Sequence, residues 1–177
     1  MSSVSVTILT IGHSARPLPE FTALLQTHGV QQIADVRRYP ASARWPHFNK
    51  DALAAALAPG GVEYRHFPAL GGRRRAKPDS PNTALRSESF RGYADHMQTA
   101  EFANGLLDLI DFSKHAATAL MCAEAVWWEC HRKLLSDVLL VRGVQVRHIL
   151  STAAPKRHEL SEFAREASGT VTYPGLL

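Results

Sequence analysis

Short β-branched or apolar runs alternate with segments of helical spacing along nearly the whole chain, and few architectures accept that alternation. Val4 to Ile11 is a β-branched run closed by Gly12, which reads as a strand ending in a turn. After Pro17 and Pro19, residues Phe21, Leu24, Leu25 and His28 recur at helical spacing until Gly29 stops the helix. Val30 to Val36 gives a second strand. A short Ala/Leu helix follows from an Asn49 cap to Ala58, and Val62 to Phe67 gives a third strand. Leu70 to Asn82 is rich in Gly, Pro and cations, which predicts a long, mobile loop. Helical spacing resumes with Phe90, Tyr93, Ala94 and Met97, then with Phe102, Leu106, Leu109 and Ile110. Ala117 to Cys122 suits a buried strand, Cys130 to Arg142 a helix, and Val144 to Leu150 a fifth strand. Leu160, Phe163, Ala164 and Ala167 mark a last amphipathic helix. The pattern predicts an α/β fold: one three-layer domain over residues 1–177, with a mostly parallel five-stranded sheet and helices on both faces.

Composition narrows the classes of function. Apolar residues make up 45% and charged residues 20% of the 177, which supports a packed core and excludes wholesale disorder. No run approaches the roughly 18–20 apolar residues of a membrane span, so no membrane partner is expected. Met1 to Thr10 lacks the basic start and long apolar stretch of a signal peptide, and two cysteines make no disulfide framework. A cytoplasmic location is expected. The net charge of +4 conceals a concentration: Asp35 to Arg75 holds eight cations and three carboxylates. Fifteen of the 20 cations are Arg, whose planar fork of donors suits phosphate or carboxylate better than the solvated ammonium of Lys. The expected partner is an anionic small molecule or a nucleic acid.

In open α/β sheets, ligands collect outside the carboxyl ends of the strands. That rule gathers the reactive residue types on one rim. His13 and Ser14 follow the first strand, where a Gly lets the backbone approach a ligand and its N–H groups can form an anion nest. Asp35 and Arg37 end the second strand. Gly71, Gly72 and Arg73 follow the third, with glycines that admit close backbone approach. Cys122 and Glu124 end the fourth, and the following loop leads to Cys130, His131 and Arg132 at a helix start. A helix N-terminus and neighbouring cations favour the thiolate of Cys130, whereas Cys122 closes an apolar strand and reads as a small core residue as readily as a reactive one. Glu124 or His13 can move protons, and partial burial would raise the Glu124 carboxyl towards neutrality; Glu124 can equally pair with Arg37 or Arg132. Arg37, Arg38, Arg44 and Arg73 to Arg75 are the candidate anion grip, Arg37 and Arg44 foremost because Arg38 and Arg73 to Arg75 also read as solvated charge, with Tyr64 among the aromatics that offer stacking faces. Asp35 suits a structural pair with Arg37, Trp127-Trp128 suits a lid, and His148, inside the fifth strand, need not join the rim. The cysteine spacing is not that of a zinc knuckle, so no metal ligand set and no cofactor is assigned.

Several segments occur together in order: Thr10 to Ser14, Asp35 to Ser42, Pro46-His47-Phe48, Tyr64, Leu70-Gly71-Gly72, Ala119 to Glu124, and Cys130-His131-Arg132. This set resembles the DUF488 family, a group of small bacterial and archaeal proteins of unknown function. Its members usually place a Pro between the Glu and the second Cys, where this chain has Trp127. The resemblance marks signature positions and implies no catalytic assignment. The residues themselves favour an enzyme acting on a phosphate-bearing substrate, a nucleotide or nucleic acid. The alternatives are a nucleic-acid-binding module without turnover and a metal- or redox-sensing protein using Cys122, Cys130 and His131.

Overall fold

The structure, a computed structural model, describes residues 5–176; Val4, assigned to the first strand, lies outside them. Its elements alternate as the sequence pattern requires. In chain order they begin β1 (Thr7–Gly12), α1 (Leu18–Thr27), β2 (Gln32–Asp35), α2 (Lys50–Leu57) and β3 (Glu63–His66). They continue through α3 (Glu88–His96), α4 (Ala100–Ser113), β4 (Thr118–Cys122), α5 (Arg132–Val141) and β5 (Gln145–Ile149). The sheet has six strands in the order β3-β2-β4-β1-β5-β6. The first five are mutually parallel, and β6 (Lys156–Arg157) is a short antiparallel addition that the sequence reading omits.

Helices cover both faces because the central strands are apolar on both. Ala119 and Met121 of β4 join Phe21, Leu25, Leu53 and Leu57 of α1 and α2 in one core. Leu120 and Cys122 face the other way, onto Tyr93, Phe102, Leu106, Leu134 and Leu135 of α3, α4 and α5. That two-sided burial is what makes Thr118 to Cys122 read as a continuous apolar run. The chain leaves β1 towards the layer of α1 and leaves β4 towards the layer of α5. Between these neighbouring strand ends a crevice opens, and the parallel register Gly12 to Cys122 sets its two walls level.

The last segment departs from expectation. No helix forms over 160–167; instead β7 (Arg165–Ala167) and β8 (Thr170–Thr172) make a hairpin. Leu160 and Phe163 are each 43% exposed, so their helical spacing covers no core. Ser168 and Gly169 both take positive φ (52° and 75°), the two-residue turn that fits strand twist. The burial comes from Val171 and Tyr173, both fully buried beside α5. The loop after Leu70 is likewise held rather than mobile. The Asp95 carboxylate accepts from the Lys77 backbone N–H (2.8 Å), the Ser80 hydroxyl (2.7 Å) and the Asn82 amide (2.8 Å). Among the described residues no helix is long and apolar enough to cross a membrane.

Candidate functional site

The crevice walls are backbone pressed on backbone. The His13 N–H donates to the Cys122 carbonyl (2.9 Å) and the Ser14 N–H to the Ala123 carbonyl (3.0 Å). An anion nest at His13-Ser14 is therefore excluded, because both donors are already spent inside the protein. Gly12 is required: a Cβ there would overlap the Glu124 carbonyl and crowd the Arg132 guanidinium.

Arg37 does not grip an outside anion. It is buried, and its Nε and Nη2 donate to the two oxygens of Asp35 (2.9 and 2.7 Å) while Nη2 also reaches the Phe48 carbonyl (2.7 Å). The Tyr64 hydroxyl donates to the same carboxylate, which places Tyr64 beneath the site rather than on its wall. The remaining Nη1 of Arg37 lies 3.3 Å from His13 Nε2. His13 Nδ1 is 2.9 Å from the Ser14 carbonyl, which only accepts, so Nδ1 carries the proton and Nε2 accepts from Arg37. Burial first, and then the Arg37 charge, lower the His13 pKa to about 4, against the pull of its bond to Ser14. His13 is thus a neutral ring stacked on Phe48 (centroids 4.2 Å apart) with no free lone pair for base chemistry.

This ring makes stability depend on pH. The unfolded ring takes a proton near pH 6.5 and the folded one only near 4, so folded stability is full above 6.5 and falls as pH drops towards 4. The slope is about 1.4 kcal/mol per pH unit for one such group. Thermal midpoints measured from pH 7 to 4 are expected to fall more gently for His13→Gln than for the wild type; parallel curves would contradict the assignment.

The two thiols lie on the crevice floor with their sulfurs 2.9 Å apart. Cys130 Sγ also receives the Arg132 backbone N–H (3.3 Å) and lies 3.6 Å from His131 Nδ1. His131 is oriented by Nε2–H donating to the Val36 carbonyl (2.8 Å), and Gly72 leaves room for its ring, since a Cβ there would come 2.9 Å from Nδ1. Burial alone would raise the Cys130 pKa. The Cys122 hydrogen bond, the His131 ring and the Arg132 charge override it and hold the thiol well below its ordinary range. Cys122 moves the other way, pushed up by burial and by Cys130, so it stays a thiol and donates. The contacts thus favour the thiolate at Cys130 and the thiol at Cys122.

A cavity of about 650 Å³ opens over this pair. His13, Ser14, Arg44, Gly72, Arg73, Glu124, His131 and both cysteines line it, and Arg37 reaches it. Three proposed site residues do not. Tyr64 lies below, as described. Gly71 is packed on Arg38, whose Cα a Cβ would approach to 2.5 Å, so this glycine serves the protein rather than a ligand. Arg132 is buried behind the thiols, where Nη2 donates to the Glu124 carbonyl (2.6 Å) and Nη1 to Thr10 Oγ1 (3.2 Å). Glu124 is itself exposed and tied down only through that carbonyl, so neither burial nor an arginine pair governs its side chain. Trp127 is no lid. It stacks on His148 (centroids 4.1 Å apart, 6° between planes), while Trp128 is exposed.

The sequence reading misses what lies behind Arg132. Thr10 Oγ1 donates to His148 Nδ1 (2.7 Å), His148 Nε2 to His158 Nδ1 (3.0 Å), and His158 Nε2 to Asp137 (2.8 Å). From Thr10 to Asp137 each side chain hands a hydrogen bond to the next, so a buried cation and a buried carboxylate are joined through two imidazole rings, although Arg132 Nε itself has no partner among the described residues. These residues lie far apart in sequence and on apolar segments, and no local pattern joins them. Arg38, expected in the anion grip, also lines the cavity, as do Ser42, Ser89 and Glu129, which the sequence reading does not single out.

An open, mostly parallel α/β sheet with a thiol cleft at its strand ends defines the class of protein. Within it, the domain of unknown function DUF488 matches residues 17–139, and the chain belongs to that family. No curated protein and no solved structure matches the chain.

Proposed function

We propose that the protein is an enzyme acting on a phosphate-bearing substrate, with Cys130 as its nucleophile. One observation carries this reading: Cys130, whose sulfur meets the Cys122 thiol and the Arg132 N–H, lines a cavity also walled by Arg38, Arg44 and Arg73. A thiolate is the nucleophilic form, and it is the form that the contacts around Cys130 favour. The three arginines anchor the anionic group of the substrate. The Cys130 sulfur forms a bond to the electrophilic atom while the bond to the leaving group breaks, and the departing group takes a proton relayed by Glu124. Water then displaces the group from sulfur, restoring the thiolate and returning a proton through Glu124. His13 and Arg37 hold the wall in place.

The test is a panel of phosphorylated metabolites, nucleotides and oligonucleotides, with intact-mass detection of a covalent adduct. Cys130→Ser abolishes adduct and turnover, by about a thousandfold or more where covalent catalysis is essential. A panel member turned over equally well by Cys130→Ser would overturn the reading. The sulfur separation of 2.9 Å favours a second reading: the Cys130 thiolate takes one oxygen from hydrogen peroxide as the O–O bond breaks and hydroxide leaves, and Cys122, losing its proton, then displaces that oxygen as water to leave a disulfide. Loss of both thiols to stoichiometric hydrogen peroxide, reversed by dithiothreitol, would favour it.

A further inference from the structure

A second cleft of about 480 Å³ adjoins the cavity and shares Arg38 and Arg73 with it. Its walls add Arg74, Arg75 and Lys77, so five cations follow one another across a single ridge. Two carboxylates stand against these five cations: Asp95, which lines the cleft and holds the Lys77 N–H, Ser80 and Asn82, and Glu101, largely exposed and 3.9 Å from Arg74. Arg74 is pinned to the Gly71 and Pro68 carbonyls, and burial followed by the Arg38 charge pushes its pKa below that of an ordinary Arg.

The ridge between the clefts is strained as well as crowded. Arg73 takes φ 58°, a left-handed conformation that side chains other than Gly, Asn and Asp rarely adopt. Arg38 Nη1 fixes it by donating to the Arg73 carbonyl (2.8 Å). Strain and like-charge repulsion at one spot are compensated when a ligand supplies negative charge there. Beside them Tyr39, which lines the cavity and is 58% exposed, carries the Arg38 guanidinium over one face of its ring, 5.3 Å from the centre. Cations spaced along a path with an exposed aromatic match how single strands are held, by backbone phosphates and base stacking.

We infer that the two clefts form one track for a single-stranded nucleic acid. An end or unpaired nucleotide enters the cavity over Cys130, a base stacks on Tyr39, and the next phosphates run along Arg73, Arg74, Arg75 and Lys77. The inference rests on the reading of the cavity as a phosphate-substrate site and names its substrate class. Two clefts meeting at a ridge accept a chain that can bend, and a stiff duplex spans them poorly.

The test uses the whole chain and a fluorescein-labelled 12-nucleotide oligothymidylate, read by anisotropy at 50 and 200 mM salt. Five phosphate contacts give a log–log slope of about −3.5, or roughly a hundredfold loss of affinity across that range. Arg75→Gln with Lys77→Gln flattens the slope by about 1.4. In the wild type, affinity rises from one to about six nucleotides and then levels. Thymidine monophosphate, which fills the cavity alone, slows iodoacetamide alkylation of Cys130. If the monophosphate protects Cys130 but the 12-mer binds no more tightly than it does, the track is refuted and the cavity reading stands. If neither protects, both fall. Tighter binding to a 12-base-pair duplex, or to phosphatidylserine vesicles, than to the single strand also overturns the inference.

Discussion

Asp137→Ala lowers the free energy of unfolding by about 3–5 kcal/mol, because it strands three buried groups around one missing carboxylate. Asp137 is fully buried on α5. One oxygen accepts from His158 Nε2 (2.8 Å) and the Ser161 N–H (3.1 Å), the other from the Tyr173 hydroxyl (2.7 Å). Burial and the carboxylate together push the Tyr173 pKa far up, so its hydroxyl remains a donor. The loss lands on the C-terminal segment, which Asp137 fastens to α5, and on the rings that connect it to Arg132. For a chain of this length the thermal midpoint falls on the order of 10 °C. Trypsin then cuts first after Arg157 or Arg165, both exposed. Asp137→Asn keeps one acceptor for His158 and Ser161 and loses less. A variant with the wild-type midpoint and the wild-type tryptic pattern would show that the carboxylate latches nothing.

That latch explains where sequence reasoning succeeds and where it stops. The parallel sheet is legible because apolar content follows local periods: Thr118 to Cys122 is buried on both faces, and Phe21, Leu24 and Leu25 mark one face of α1. The rim is legible because strand ends can be found from the same runs, which places His13, Arg37, Cys122 and Cys130 near one another before any coordinates. The last segment misleads for a physical reason. Leu160, Phe163, Ala164 and Ala167 carry helical spacing, but Val171, Tyr173 and Asp137 supply the burial, and only tertiary contact shows it. A Ser-Gly pair between short polar runs is a hairpin signal that competes with that spacing, and here the turn prevails. Roles within the rim are less legible still. Whether Arg37 meets a substrate or Asp35 depends on side-chain direction, and a buried bidentate pair looks the same in sequence as a solvated cation near a carboxylate. Arg38, by contrast, reads as a solvated charge and in fact stands where the two basic clefts meet.

The thiolate on the cavity floor makes the sharpest prediction. Alkylation of Cys130 by iodoacetamide falls off at a lower pH than that of an ordinary thiol of pKa about 8.5, which is only about 1% ionised at pH 6.5. The sign follows from the contacts: a lowered pKa keeps the reactive form present at lower pH, so the rate falls only below the shifted midpoint. Some of this gain is offset, since a less basic sulfur is a weaker nucleophile, but at pH 6.5 the larger thiolate fraction still leaves Cys130 faster than an unshifted thiol. Cys122→Ala removes the hydrogen bond at 2.9 Å and puts nothing in its place, so the midpoint climbs. Cys122→Ser restores a donor and brings the midpoint back down. That rescue separates solvation of the thiolate from mere packing, because Ala and Ser differ little in size and only one of them can donate. A wild-type midpoint near 8.5, unmoved by either substitution, would mean that Cys130 is an ordinary buried thiol and would remove the nucleophile from the cavity. A lowered midpoint abolished by Ala and rescued by Ser would assign the shift to the neighbouring thiol, leaving His131 and the α5 N-terminus to supply what remains.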